Sequence, residues 1–564
     1  MNKRINLLRK KFKKYNIDGY IVSKNDDYFT EYSKINRLEI ISNFTGSAGL
    51  AIILKNKNFL FTDGRYTIQS QMESGKDFKI ISYDKIINFD LVKNLTLGID
   101  PKLFTYEQIK KFFLKNNKIK FIEKNLIDEI KNKKIKDNFK FFSLKKEIVG
   151  ESSKSKINKI AKYLKKNKSD YLLVSAPENV AWILNIRGGD GPNSPVPNSR
   201  LIISKTKKIF LISKIHKSEK LIKDKIIKSK EVIDINKFHQ EIVKLNGKNF
   251  IIDNKSCSIF YEDIIKSKFK IVKREDPTYL FKSVKNKTEI NNTINSHIID
   301  GVALTKFIYW IKNINKKKIT EVEAQNKLEK FRKMNKNYLY PSFDTIAGSG
   351  KNGAIVHYRA KKENCRTINK KDIFLCDSGG QYKYGTTDVT RTICFSKPKA
   401  QIKDIFTKVL KGHIAVANTD LKKDNIGKKI DARARKFLKK SNLDYAHGTG
   451  HGVGFFLNVH EGPQAITKIN SIKIKEGMIL SNEPGYYQKG KFGIRIENLV
   501  FVKKNKNKIF FENLTLAPIE KDLINYKLLS SKEKNYLFKY HLDVYSKISK
   551  FLNPNERKWL ASFI

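Results

Sequence analysis

Cysteine is scarce in this chain: four in 564 residues, Cys257, Cys365, Cys376 and Cys394, with no CxxC pair among them. That excludes a disulfide framework and a sulfur-ligated zinc site, and it points to a reducing compartment. No run of about 18 apolar residues occurs, which excludes an ordinary transmembrane helix. The basic N-terminus, MNKRINLLRKKFKKYNIDGYIVS, has Lys or Arg breaking its apolar positions every few residues. It therefore reads as an amphipathic helix (Ile5, Leu8, Phe12) running into a strand, not as a signal peptide. A cytoplasmic protein with no membrane partner is expected.

Acidic residues are also few: 56 Asp and Glu against 114 Lys and Arg, a formal charge of +58. Such an excess suits a nucleic-acid or anionic-membrane partner. The lysines, however, are scattered from Lys3 to Lys558, and Lys, Asn and Ile abound throughout, as A+T-rich coding DNA produces. No helix-turn-helix, RNA-recognition or zinc-finger signature accompanies them. The charge predicts salt-sensitive adhesion to polyanions and no specific nucleic acid. What is present suffices for real cores: 40% hydrophobic and 11% aromatic residues, over a length that calls for about two to four domains.

Two stretches resemble each other, Asp18–Tyr66 and Ser169–Ser213. Each carries an apolar strand ending in Val-Ser, a helical or loop segment, a glycine turn, and two apolar strands split by a lysine-rich turn. They predict tandem α/β domains, 1–145 and 146–278. The first boundary is the polar SLKKEIVGESSKSK. The second is KREDPTYLFKSVKNKTEI, where Asp276-Pro277 breaks a strand before a long helix. A further helix opens at Thr320, whose pairing with Glu323 is a capping box. Segment 279–510 holds nearly all the unusual residues. The tail, 511–564, reads as helical.

In DIFLCDSGGQYKYGTTDVTRTICF, a strand ends at Asp377, Gly379-Gly380 turn the chain, and a second strand begins near Asp388. Two carboxylates on a hairpin can converge; the rival reading makes Asp377 a turn cap and Asp388 a solvated residue. In ILSNEPGYYQKGKFGIRIENLVFV the pattern recurs, with Glu483 before a Pro-Gly turn and Glu497 inside an apolar strand. A carboxylate there is costly unless neutralised, by a cation or by one of the many lysines. His451, in AHGTGHGVGFFLNVHEGP, adds an imidazole. That glycine-rich stretch fits neither GxGxxG nor a P-loop. Oxygen-dominated ligation favours a hard metal, Mn(II) ahead of Zn(II) or Co(II).

The ordered set Asp377, Asp388, His451, Glu483 and Glu497 resembles the ligands of the dinuclear metallopeptidases of the pita-bread fold. AIVHYRA at His357, HGTGHGVG, VHEGP, NFTGSAGLAII, TDGRY and AWILNIRGGDGPNSPV narrow the resemblance to the aminopeptidase P (Xaa-Pro aminopeptidase) family in its long three-domain form. The resemblance covers nearly the whole chain. It implies an α/β (α+β) protein with two creatinase-like N-terminal domains that narrow access, then a pita-bread catalytic domain and a C-terminal extension, assembled as a homodimer. It also implies two divalent metal ions with a bridging hydroxide, and peptide substrates with proline in second place. Glu483 would then shuttle the proton as well as ligate. His357, His447 and His460 would be catalytic groups donating to the oxyanion and substrate carbonyls, with Arg495 and Tyr487 binding substrate. His216, His239, His297, His413 and His541 have no such context and read as ordinary residues. The alternatives are a prolidase, restricted to Xaa-Pro dipeptides, and a catalytically inactive pita-bread protein that binds nucleic acid.

Overall fold

Ile5, Leu8 and Phe12 recur three to four residues apart, and the helix they define, Asn2–Tyr15, buries all three. Each such side chain contributes about 1.5–3 kcal/mol on full burial. The computed structural model of the chain describes residues 2–89, 91–113, 117–131, 139–314 and 318–564. These form two compact units, Met1–Tyr279 and Leu280–Ile564.

The first unit builds one sheet plan twice. Strands β1 (Gly19–Ser23), β2 (Leu50–Leu54), β3 (Asn58–Thr62), β4 (Lys79–Ser82), β5 (Thr96–Ile99) and β6 (Lys118–Phe121) lie in the order β4-β3-β2-β1-β5-β6. Strands β7 (Tyr171–Val174), β8 (Arg200–Ser204), β9 (Ile209–Ser213), β10 (Val232–Asp234), β11 (Asn249–Ile252) and β12 (Lys270–Lys273) repeat it as β10-β9-β8-β7-β11-β12. In both, the first strand pairs antiparallel with the next and parallel with the fifth. The internal resemblance in the sequence is thus a duplicated fold.

The second unit starts with the helices Lys287–Asn313 and Glu321–Lys333, the latter opened by the Thr320–Glu323 capping box. Its strands are short: β13 (Tyr338–Pro341), β14 (Ile346–Ser349), β15 (Ile373–Ser378), β16 (Gly380–Tyr382), β17 (Gly385–Thr386), β18 (Val389–Cys394), β19 (Gly450–Gly452), β20 (Glu461–Ile466), β21 (Ile479–Asn482), β22 (Gly485–Gln488), β23 (Phe492–Arg495), β24 (Asn498–Asn505) and β25 (Lys508–Asn513). They form the sheets β13-β16-β17, β14-β15-β18, β20-β19-β21-β24-β25 and β22-β23. Helices Ala400–Ala417 and Gly427–Lys439 pack on one another between β18 and β19.

Three local expectations change. The Asp377/Asp388 hairpin is real in register, with Asp377 opposite Thr390 and Ser378 opposite Val389, but Gly379-Gly380 do not close it. The small β16-β17 hairpin is inserted there, and it pairs with β13 instead. Glu497 is not inside a strand. Ile496-Glu497 is the step where the chain leaves β23 for β24, and the Glu497 amide donates to Thr390 O (3.2 Å) rather than to a ladder partner. The tail is not helical from 511, because Phe511 belongs to β25, paired with β24. The long helix begins at Ser531.

Candidate metal centre and active site

The ligand candidates reach one place from different sheets. Asp377 ends β15, Asp388 precedes β18, His451 centres β19, Glu483 follows β21, and Glu497 occupies the β23–β24 step. Donor atoms of Asp388, His451 and Glu497 all lie within 4.8 Å of one another. His451 Nε2 stands 3.4 Å from Asp388 Oδ2 and 3.5 Å from Glu483 Oε1. Ligand atoms about 2.1 Å from one ion sit about 3.0–3.4 Å apart, so this spacing suits a shared small cation. The His451 Nδ1–H donates to Gly452 O (2.9 Å), which turns Nε2, the nitrogen that would ligate, toward the carboxylates. Asp377 Oδ2 accepts from Arg495 (2.5 Å), while its buried Oδ1 has no hydrogen-bond partner. An orphaned carboxylate oxygen beside three other acids fits a cation. The donor set, oxygen with one imidazole, fits a hard divalent ion.

Charge crowding shows in the titration of these groups. Burial, with Asp388 and Glu483 nearby, pushes the Asp377 carboxyl up to about 7 against the pull of Arg495. Burial and the charges of Asp388, Glu483 and Asp377 hold Glu497 well above the usual carboxylate range. Burial also opposes ionisation of Glu483, but His451 and Arg495 outweigh it and keep that carboxyl low. For His451 burial acts downward, yet Asp388 and Glu483 push it up to about 9. Like charges closed into one space produce this spread, and a bound cation relieves it.

The glycines of AHGTGHGVG answer to space. Among the described residues none from 448 to 454 has positive φ. A Cβ at Gly450 would stand 2.0 Å from Ser481 O, so only glycine lets β19 lie this close to β21.

The other predicted residues divide. His460 meets His451 edge-on, ring centroids 4.3 Å apart. The His447 Nδ1–H donates to Gly448 O (2.7 Å), and its Nε2 accepts from the Tyr487 hydroxyl (2.9 Å). Burial drives His447 down to about 4, so it is a neutral imidazole. Arg495 donates to the same hydroxyl and to Asp377, linking Asp377, Arg495, Tyr487 and His447 in one chain of hydrogen bonds. His357 is half-buried in the turn after residues 350–354, which pack against β23. Of the histidines expected to be ordinary, His297, His413 and His541 are buried, their ring nitrogens bonded to backbone at Thr293, Asn482 and Ile519. His216 and His239 are exposed.

Sequence reasoning missed the groups that hold these residues. Thr390 Oγ1 donates to Glu497 Oε2 (2.6 Å) and accepts from Arg495 Nε (3.0 Å). Ser481 Oγ accepts from the His451 amide (2.9 Å) and donates to Glu483 Oε1 (3.1 Å). The Arg435 guanidinium donates to Asp431 (2.7 Å), Tyr445 O (2.7 Å) and His447 O (2.6 Å), gripping the glycine-rich loop. Gln381 of the inserted hairpin donates to Leu457 O (2.8 Å), which props the segment leading to His460. One signal was available: Asp431 and Arg435, four residues apart, border the buried face Ile430–Ala434–Leu438 and so could not both be solvated.

Fold and donor set together define a multidomain hydrolase built around a divalent-metal site. Residues 292–504 match the model of metallopeptidase family M24 and 508–562 that of the C-terminal region of peptidase M24. Residues 4–129 and 132–289 each match a Creatinase/Prolidase N-terminal domain. The chain belongs to metallopeptidase family M24, with the two creatinase-type domains and the pita-bread catalytic domain expected from its motifs. It is 36% identical over 593 residues to the Probable Xaa-Pro aminopeptidase P of Pyrenophora teres f. teres, covering 97% of this chain and 90% of that one. Against Xaa-Pro aminopeptidase 1 of Dictyostelium discoideum it is 36% identical over 613 residues, covering 100% and 96%. The X-prolyl aminopeptidase of Caenorhabditis elegans, described as a cytosolic enzyme with a di-nuclear active site, superposes with a TM-score of 0.91 at 28% identity, covering 100% and 99%. No described helix is long and apolar enough to cross a membrane.

Proposed function

We propose that this chain is a metal-dependent Xaa-Pro aminopeptidase, hydrolysing the bond between a peptide's first residue and a proline in second place. The observation that carries the reading is the convergence of Asp388, His451 and Glu497, with Asp377 and Glu483 beside them, in a chain similar over its full length to enzymes so named. When bound, a pair of divalent ions supplies Lewis acidity and an activated water. Asp377, Asp388, His451, Glu483 and Glu497 hold them. Glu483 is the proton carrier. Ser481 occupies its Oε1, so Oε2 takes up a proton and returns it to the prolyl nitrogen, which has none of its own in the scissile tertiary amide. His357 and His460 donate to the oxygens of the substrate carbonyls. His447, neutral and tied through Tyr487 to Arg495, fixes the side of the pocket where Asp377 lies.

The finer parts of the proposal have separate supports. Mn(II) rests on the oxygen-rich donor set, a homodimer on the family resemblance, and a cytosolic location on the description of the nematode enzyme. The domain limits 1–145, 146–278, 279–510 and 511–564 rest on the composition shifts in the sequence.

The test is cleavage by protein reconstituted with Mn(II), Co(II) or Zn(II), comparing Arg-Pro-Pro with an Arg-Pro dipeptide. Release of free arginine from the tripeptide is expected. Turnover of the dipeptide alone would make the chain a prolidase, and no turnover with any of the three ions would remove the enzyme reading.

A further inference from the structure

Arg391 lies two residues beyond Thr390's neighbour Val389 in β18, and its guanidinium is fully buried. Such a cation normally faces a carboxylate. Every hydrogen-bond partner of this one is neutral: Pro518 O from Nε (2.9 Å), Thr390 O (2.9 Å) and Glu497 O (2.6 Å) from one terminal nitrogen, and Asn498 Oδ1 (2.8 Å), Ala517 O (2.9 Å) and the Tyr540 hydroxyl (2.9 Å) from the other. Six acceptors on five N–H groups leave nothing unused. The Tyr540 hydroxyl passes its own proton to Ala517 O (2.7 Å), which closes the cage.

Five of the six acceptors fall into two sets, with Asn498 beside Glu497 as the sixth. Thr390 and Glu497 carry the side chains that bond each other at the candidate metal centre, through Thr390 Oγ1 and Glu497 Oε2. Ala517, Pro518 and Tyr540 belong to the C-terminal region, which matches a family model of its own but places no side chain among the five ligands. One guanidinium spans both. It sits at the β23–β24 step, where Glu497 has no ladder partner on its carbonyl and Arg391 supplies the donor instead.

We propose that Arg391 is a positioning residue through which the C-terminal region sets the carboxylate of Glu497 for metal. The inference rests on the reading of Glu497 as a metal ligand. Lysine cannot substitute, because an ammonium offers three donors from a single point where six acceptors are spread around a planar fork. Removing the Tyr540 hydroxyl opens the cage at one corner and leaves the phenyl ring in place.

The test uses the full chain, stripped of metal, as wild type, Arg391→Lys and Tyr540→Phe. Mn(II) binding is measured by calorimetric titration and bound metal by elemental analysis, alongside the melting of each metal-free protein. Loss of a supporting partner of a metal ligand weakens binding about 10–100-fold, which is the change expected for one of the bound ions in Arg391→Lys, with a smaller weakening in Tyr540→Phe. A merely structural arginine would lower the metal-free melting temperature and leave the affinity of the folded protein unchanged. Variants that bind Mn(II) as wild type does would overturn the inference. If Arg391→Lys does not fold, Tyr540→Phe decides alone. A wild-type chain that binds no Mn(II) would instead remove the metal reading, and this inference with it.

Discussion

The N-terminal half builds one six-stranded sheet twice and gives its buried acids private partners, whereas the catalytic half points its acids at each other. Asp276, deep in the first unit, accepts from the Asn179 side chain and the Thr278 amide. Asp190 is met by Lys217, and Asp100 by Asn125. Each of these carboxylates is satisfied where it lies. In the second unit Asp377, Asp388, Glu483 and Glu497 raise one another's cost of ionisation, with Arg495 and His451 too few to balance them. A fold keeps such an arrangement only where something else brings positive charge. The contrast locates the chemistry, because acids are buried in both halves but converge in one.

Substitution at matched buried acids sharpens this contrast most. Glu483→Gln should lower kcat by about 10³-fold or more, since in the proposed function Glu483 is both a ligand and the proton carrier. Asp276→Asn, whose partners are all neutral, should leave kcat within about twofold even where it shifts stability. Steady-state kinetics on the two variants under one metal load makes the comparison. Equal losses would erase the distinction between the halves.

Acid should act by a smaller amount, about 3 kcal/mol at His541. Burial drives His541 down to about 4, with Arg391 and Lys521 adding to the effect. Below pH 6.5 an unfolded His541 takes a proton that the buried ring refuses until about pH 4. His541 therefore contributes about 3 kcal/mol that is lost as pH falls through that window. Asp276 has the opposite sign. Burial pushes its carboxyl up to about 6, so the folded form binds a proton before the unfolded one does. Its burial costs least in acid, and that advantage is lost as pH rises through 6. Urea unfolding of the metal-free wild type and His541→Gln at pH 7 and pH 4.5 isolates the His541 contribution, since Asp377 and Glu497, pushed up by burial, act in the opposite direction in both proteins. His541→Gln, which can still accept from the Ile519 amide, should lose about 3 kcal/mol less than the wild type between the two pH values.

How far this could be read from sequence follows the same division. The duplicated sheet was legible because apolar strands ending in Val-Ser recur at matching intervals, although the strand order was not. The five candidate ligands were legible as a set because their order and flanking motifs resemble those of the pita-bread metallopeptidases. Their supports were not. Thr390 and Glu497 stand 107 residues apart, and Arg391 and Tyr540 stand 149 apart. A threonine or arginine in a strand carries no mark of a partner that distant. Glu497 itself was misplaced for a physical reason: apolar residues flank it on both sides in GIRIENLVFV, and nothing local reveals that the strand breaks to change sheets. The hairpin inserted after Gly379 was hidden similarly, since its role is to carry Gln381 to Leu457 in another loop.

The central claim is that the converging acids and His451 form the site for divalent metal. Elemental analysis of the chain after Mn(II) loading and desalting, for wild type and Asp388→Ala side by side, tests it most directly. The account predicts two ions per wild-type chain and one or none in the variant. A wild-type chain without metal, or a variant that keeps both ions, would contradict it.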